Sequence, residues 1–180
     1  IKKTAKKTLA IEPQKNFQNL IKGKGHELVD HKYPNNKYLN FVDVVTSFGV
    51  IEHINDPLKY LKLSFKLLKK NGLFYVFTDN FDDILMHANL KEFKEFYFRT
   101  AHSWYFTKSS LENLLLKAGF KILETKFIHN HGFNNFVHWL KNKNPLNDDK
   151  IKKNLLDRKW IKILENSGRA ECILFKCKKK

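Results

Sequence analysis

The residues most able to do chemistry stand where apolar runs break off. Glu52 and His53 follow the run Phe41–Ile51 abruptly, at what should be the carboxyl end of a buried strand. In an open parallel α/β sheet that end is where ligands bind. Glu12 holds a similar place after Leu9-Ala10-Ile11 and before Pro13. A carboxylate there can bind ribose hydroxyls, or it can simply favour the start of the next helix; these few residues alone favour the second reading. Asp82 and Asp83 could serve a metal or act as a base, but acids clustered after a strand more often form turns and caps. His129, His131 and His138 have no Cys or carboxylate at a recognised ligand spacing, so no metal site is expected.

The elements that must position these residues follow from apolar spacing. Val42, Val44, Val45 and Phe48 form a strand apolar enough to be covered on both faces. Asp56-Pro57 is a helix start, with Asp as cap and Pro in the first turn. Leu58, Leu61, Phe65 and Leu68 share one helical face, and Asn71-Gly72 supplies the left-handed residue types that end helices. Leu73–Thr78 is the next buried strand. Before this β-α-β unit lie a short strand at Leu9–Ile11, a helix carrying Phe17, Leu20 and Ile21, and a weaker strand at Glu27–Asp30. After it come a helix over Leu90–Phe98, a helix capped at Thr107 and ended by Gly119, a strand at Phe120–Ile128, a helix built on Leu155, Leu156, Trp160 and Leu164, and a last strand at Ala170–Cys177. Residues 90–106 carry more aromatic surface than a solvated helix needs. They read as a substrate-facing insertion, although core packing is expected for most of the rings.

The chain has 180 residues, enough for one domain with a real core. Lys and Arg total 34 against 18 acids, a net charge of +16, which raises nucleic acid or an anionic surface as partner. Yet Arg occurs only at 99, 158 and 169, and base recognition favours the Arg fork. No nucleic-acid partner is expected. The Lys excess is read as compositional first, and as attraction for anionic substrates second. Cys172 and Cys177 sit where an internal disulfide is not expected, which suits a reducing cytosol and a cytoplasmic protein. No apolar run approaches the ~20 residues of a membrane span. The sequence leaves the oligomeric state open.

FVDVVTSFGVIEHINDP, followed by LLKKNGLFYVFTDN, resembles the class I S-adenosylmethionine-dependent methyltransferases, in the small-molecule branch that carries Glu-His and then Asp-Pro after the fourth strand. Ala101-His102, Tyr105-Phe106-Thr107 and Ala118-Gly119-Phe120 look like the second half of such enzymes. The resemblance implies a Rossmann-like α/β sheet of order 3-2-1-4-5-7-6, with S-adenosyl-L-methionine as cofactor and a small-molecule methyl acceptor. Leu9–Ile11 then corresponds to strand two, and Phe41–Phe48 to strand four. Leu73–Thr78 corresponds to strand five, Phe120–Ile128 to six and Ala170–Cys177 to seven. Strand one and its Gly-rich loop have no counterpart, since no Gly precedes Leu9. Residues 1–180 are therefore expected to form the C-terminal three-quarters of one methyltransferase domain, a fragment, or else a degenerate copy.

Site roles carry over residue by residue. The resemblance implies that Glu12 binds the cofactor ribose, reversing the preference that its immediate neighbours give, and that Asp30 or His31 lies by the adenine. Ser47, Phe48 and Gly49 lie along the methionine half, and Glu52 lines the substrate side. His53 is the first candidate base for an acceptor hydroxyl and His102 the second, with Tyr97 and Tyr105 as positioning groups on the substrate side. A structural hydrogen bond from His53 has equal weight. A non-catalytic subunit and, less favoured, a basic nucleic-acid-binding protein are the rival readings.

Overall fold

A computed structural model describes residues 5–29, 36–146 and 154–180. Its centre is a four-stranded sheet of order β3-β4-β6-β5, formed by β3 (Val42–Phe48), β4 (Leu68–Asp79), β5 (Phe120–Ile128) and β6 (Cys172–Lys179). β3 and β4 run parallel, and β6 is antiparallel to both of its neighbours. The expected neighbours four, five, seven and six are thus found side by side. A separate parallel pair joins β1 (Leu9–Ile11) to β2 (Glu27–Val29) around α1 (Lys15–Gly23). Among the described residues no strand lies between β1 and β3, so each presents an open edge.

The β-α-β unit forms as its caps dictate. Asp56 Oδ1 accepts the Lys59 amide at 2.9 Å, and Pro57 opens α2 (Pro57–Leu67). The helix ends earlier than its Asn-Gly pair suggests, because Leu68 turns extended and pairs with Val42. Asn71, at φ 66°, sits instead in a bulge of β4, where the pairing jumps from Val42–Leu68 to Val44–Leu73. Gly72 is required there by close approach: a Cβ would stand 2.9 Å from the Lys69 carbonyl oxygen and 3.2 Å from that of Asp43. Gly72→Ala is expected to cost about 2 kcal/mol through overpacking, read as a lowered thermal midpoint with an unchanged far-ultraviolet spectrum.

One face of the large sheet packs against α2 and α5 (Lys108–Lys117), with Leu61, Leu111, Leu115, Phe74, Val76 and Phe175 buried between them. Phe74 stacks on Phe120 at 4.9 Å between centroids. α5 starts on the expected Thr107 cap, closed reciprocally with Ser110. β3 departs from two-sided burial: Val44 and Phe48 are 50% and 56% exposed, and only Ser47 is buried. Its apolar run therefore has one covered face. A second cluster gathers Leu85, Phe93, Tyr97 and Trp139 from α3 (Ile84–His87), α4 (Lys91–Tyr97) and α6 (Phe133–Asn142). Finally α7 (Leu155–Ser167) begins at Asn154 in a capping box with Asp157. Cys172 and Cys177 are buried free thiols, and burial pushes Cys177 up to about 12.

Candidate active site

The parallel pairing of β3 and β4 ends with Phe48 opposite Phe77, which sets the loops leaving the two strands side by side. Gly49, at φ 64°, donates its amide to the Phe77 carbonyl at 3.0 Å and turns the chain off the strand. Residues Ile51–His53 then form a single 3-10 turn. Glu52 ends up 5% exposed, with Oε2 accepting from Thr78 Oγ1 at 2.9 Å. No Lys or Arg pairs with it among the described residues.

The loop after α4 returns to this corner through the backbone. The Ser103 and Trp104 amides donate to the Glu52 carbonyl oxygen at 2.9 and 3.2 Å. His53 Nδ1 lies 2.8 Å from the Ala101 carbonyl oxygen. A carbonyl only accepts, so Nδ1 is the donor, and Nε2 is the nitrogen of this exposed ring that can accept when the imidazole is neutral. The His102 ring meets His53 edge-on at 4.7 Å. Its side chain is 7% exposed, and Nδ1 is buried with no hydrogen-bond partner, 4.0 Å from Asp79 Oδ2. Glu52, His53 and His102 thus converge, joined by Thr78 and Asp79 of β4. Sequence reasoning missed those last two; the parallel β3–β4 register was the signal for them.

The other candidates are dispersed. Tyr105 touches His102, with ring centroids 5.6 Å apart, but its hydroxyl accepts from the Arg99 amide at 2.6 Å and so holds the turn after α4. Tyr97 lies in the second apolar cluster, where burial pushes its phenol well above the usual range. Ser47 Oγ accepts from Tyr60 Oη at 2.9 Å, facing α2 rather than the open side of the strand. The Phe48 ring rests edge-on against Phe77 at 6.1 Å. Glu12 stands half-buried just past β1, with Oε1 accepting the Gln14 amide at 2.7 Å. Asp30 and His31 fall outside the described residues. In the 90–106 stretch, Phe93 and Tyr97 pack inward while Phe96, Phe98 and Trp104 are exposed.

A mixed α/β sheet with a polar corner just past the carboxyl ends of its parallel pair is an arrangement in which α/β folds bind ligands. A model of the methyltransferase-domain family matches residues 3–125, and the chain belongs to that family, whose members draw the methyl group from S-adenosylmethionine. Solved structures agree in fold. A methyltransferase dependent on S-adenosylmethionine from Thermotoga maritima is 18% identical, with TM-score 0.63 over 96% of this chain and 73% of that one. One from Mesorhizobium loti is 10% identical, with TM-score 0.60 over 97% and 81%. One from Archaeoglobus fulgidus is 16% identical, with TM-score 0.54 over 98% and 87%. A comparison with curated proteins finds no significant match.

Two of the residues present suit the cofactor by their chemistry, one on each sheet. Glu12 offers a carboxylate at the end of β1, and Gly49 offers a side-chain-free turn at the end of β3. No backbone donor from a strand between them is among the described residues.

Proposed function

We propose that the chain serves methyl transfer from S-adenosylmethionine to a small-molecule hydroxyl, with proton removal at the Glu52-His53-His102 corner. The observation that carries this reading is the 2.8 Å contact of His53 Nδ1 with the Ala101 carbonyl oxygen, which makes Nδ1 the donor and leaves Nε2 as the nitrogen that can accept. The cofactor supplies an electrophilic methyl on a sulfonium, so the protein's task is to align an acceptor and relieve it of a proton. In this reading Glu12 holds the ribose, with Asp30 or His31 by the adenine. Gly49 lets the methionine half pass, Phe48 walls it, and His53 Nε2 takes the acceptor proton. Glu52 fixes the loop that carries His102. Tyr105 shapes the pocket through the turn that it ties, and Tyr97 supports that turn from beneath. The exposed Phe96, Phe98 and Trp104 and the charge of +16 favour a bulky anionic acceptor, such as a sugar nucleotide or a lipid-linked intermediate.

The open edges of β1 and β3 favour a second reading, in which the chain is a non-catalytic subunit. Calorimetric titration with S-adenosylmethionine separates the two. The first reading expects saturable binding and release of S-adenosylhomocysteine with sugar-nucleotide acceptors, and at least about tenfold slower turnover in His53→Ala at unchanged cofactor affinity. Absence of cofactor binding selects the subunit reading. Binding without turnover on sugar nucleotides removes that acceptor class.

A further inference from the structure

The same corner has the makings of a metal site. Glu52, His53 and His102 each offer one ligand atom, and these atoms lie within 4.8 Å of one another. Zinc bonds to imidazole nitrogen and carboxylate oxygen run about 2.0–2.2 Å. A contraction of less than an ångström per ligand therefore brings the three onto one ion. Two features of the corner ask for a cation. Glu52 is a carboxylate at 5% exposure whose side chain has the Thr78 hydroxyl as partner and no cationic side chain among the described residues. Its two oxygens offer about four acceptor sites, of which the hydroxyl fills one. His102 has a side chain only 7% exposed and a buried Nδ1 with nothing to bond, beside the Asp79 carboxylate.

The surroundings are those of ligands already oriented. Histidines that bind metals commonly donate their other ring N–H to a backbone carbonyl, and ligating carboxylates are themselves hydrogen-bonded. His53 does the first through Ala101, and Glu52 the second through Thr78. We propose that Glu52, His53 and His102 bind one divalent transition ion, of the zinc, manganese or ferrous class. Two imidazoles and one carboxylate suit those ions better than magnesium or calcium, which prefer an all-oxygen shell. Three protein ligands leave a position open for water or an oxygen of an acceptor. The ion would use the same His53 Nε2 that the proposed function assigns to proton removal, so the two uses exclude each other. Binding is therefore to be read directly: an ion held there takes His53 away as the base but leaves cofactor binding untouched, and failure to bind leaves the proposed function as it stands.

The test is a titration of the full chain with Co(II), followed by visible absorption and calorimetry. One ion per chain is expected, with ligand-field bands of a nitrogen- and oxygen-bound centre. Glu52→Gln, His53→Ala and His102→Ala should each weaken binding by at least about tenfold, and Thr78→Ala, which removes only the hydroxyl behind Glu52, by about tenfold to a hundredfold. If the His102 variant does not fold, His53→Ala at its exposed position decides alone. Absence of stoichiometric binding overturns the proposal. So does binding that survives the Glu52 and His53 changes, or that is lost instead in His131→Ala.

Discussion

Asn80→Ala is expected to destabilise the chain by about 3 kcal/mol, roughly a hundredfold in the unfolding equilibrium. The side chain is fully buried. Its Nδ2 donates to the Gly168 and Ala170 carbonyl oxygens at 3.0 and 2.7 Å, and its Oδ1 accepts the Asp82 amide at 3.1 Å. One amide group thus staples the end of β4 to the turn that enters β6 and to the start of α3. Alanine leaves two carbonyls and one amide in need of partners, each costing about 1–3 kcal/mol where water does not reach. Asn80→Asp should be worse at neutral pH, because it aims a buried carboxylate at two carbonyl oxygens. Urea unfolding of both variants measures this. A loss below about 1 kcal/mol for the alanine would mean that water replaces the amide.

What the sequence made legible was whatever local chemistry decides. Asp56-Pro57 and Thr107 announce helix starts because a cap needs only its own first turn, and both caps form as expected. Asn71-Gly72 has the residue types of a helix end, but the same left-handed freedom serves a bulge. The partner that chose between them, β3, lies far back in the chain. The run Val42–Phe48 looked doubly covered, because apolar residues record a preference and not which neighbours are present. Here the face that carries Val44 and Phe48 is left half exposed.

The site divides the same way. Glu52-His53 stood out as polar residues ending an apolar strand. His102 was a candidate only through resemblance, since its arrival depends on the Ser103 and Trp104 amides closing onto the Glu52 carbonyl. Tyr97 was placed on the substrate side because aromatic clusters read alike whether they face a ligand or a core. Its neighbours Phe93 and Trp139 put it in the core. Glu12 and the Glu52 corner belong to separate sheets, and no feature of either segment alone fixes the distance between them.

Raising the pH from 4 to 8 is expected to destabilise the chain through Asp83, and Asp83→Asn should remove that contribution. Asp83 is 3% exposed and caps α3, with Oδ1 accepting the Leu85 amide at 2.6 Å. Burial, reinforced by the nearby Glu171 and Asp79 carboxylates, outweighs that bond and His131, and pushes the carboxyl from 3.8 up to about 7. Below the unfolded value both states hold the proton, and folding incurs no penalty. Between the two values the unfolded chain has released a proton that the folded chain keeps, so stability falls as pH rises. Above the folded value the penalty is complete, at most about 4 kcal/mol. Asn keeps an acceptor for the Leu85 amide without a charge to bury. Asp83→Asn should therefore match the parent near pH 4 and exceed it by about 2–4 kcal/mol at pH 8. Urea midpoints for both proteins across that range provide the comparison. Parallel curves would mean that the Asp83 carboxylate is already ionised in the folded chain, stabilised by its cap and by His131.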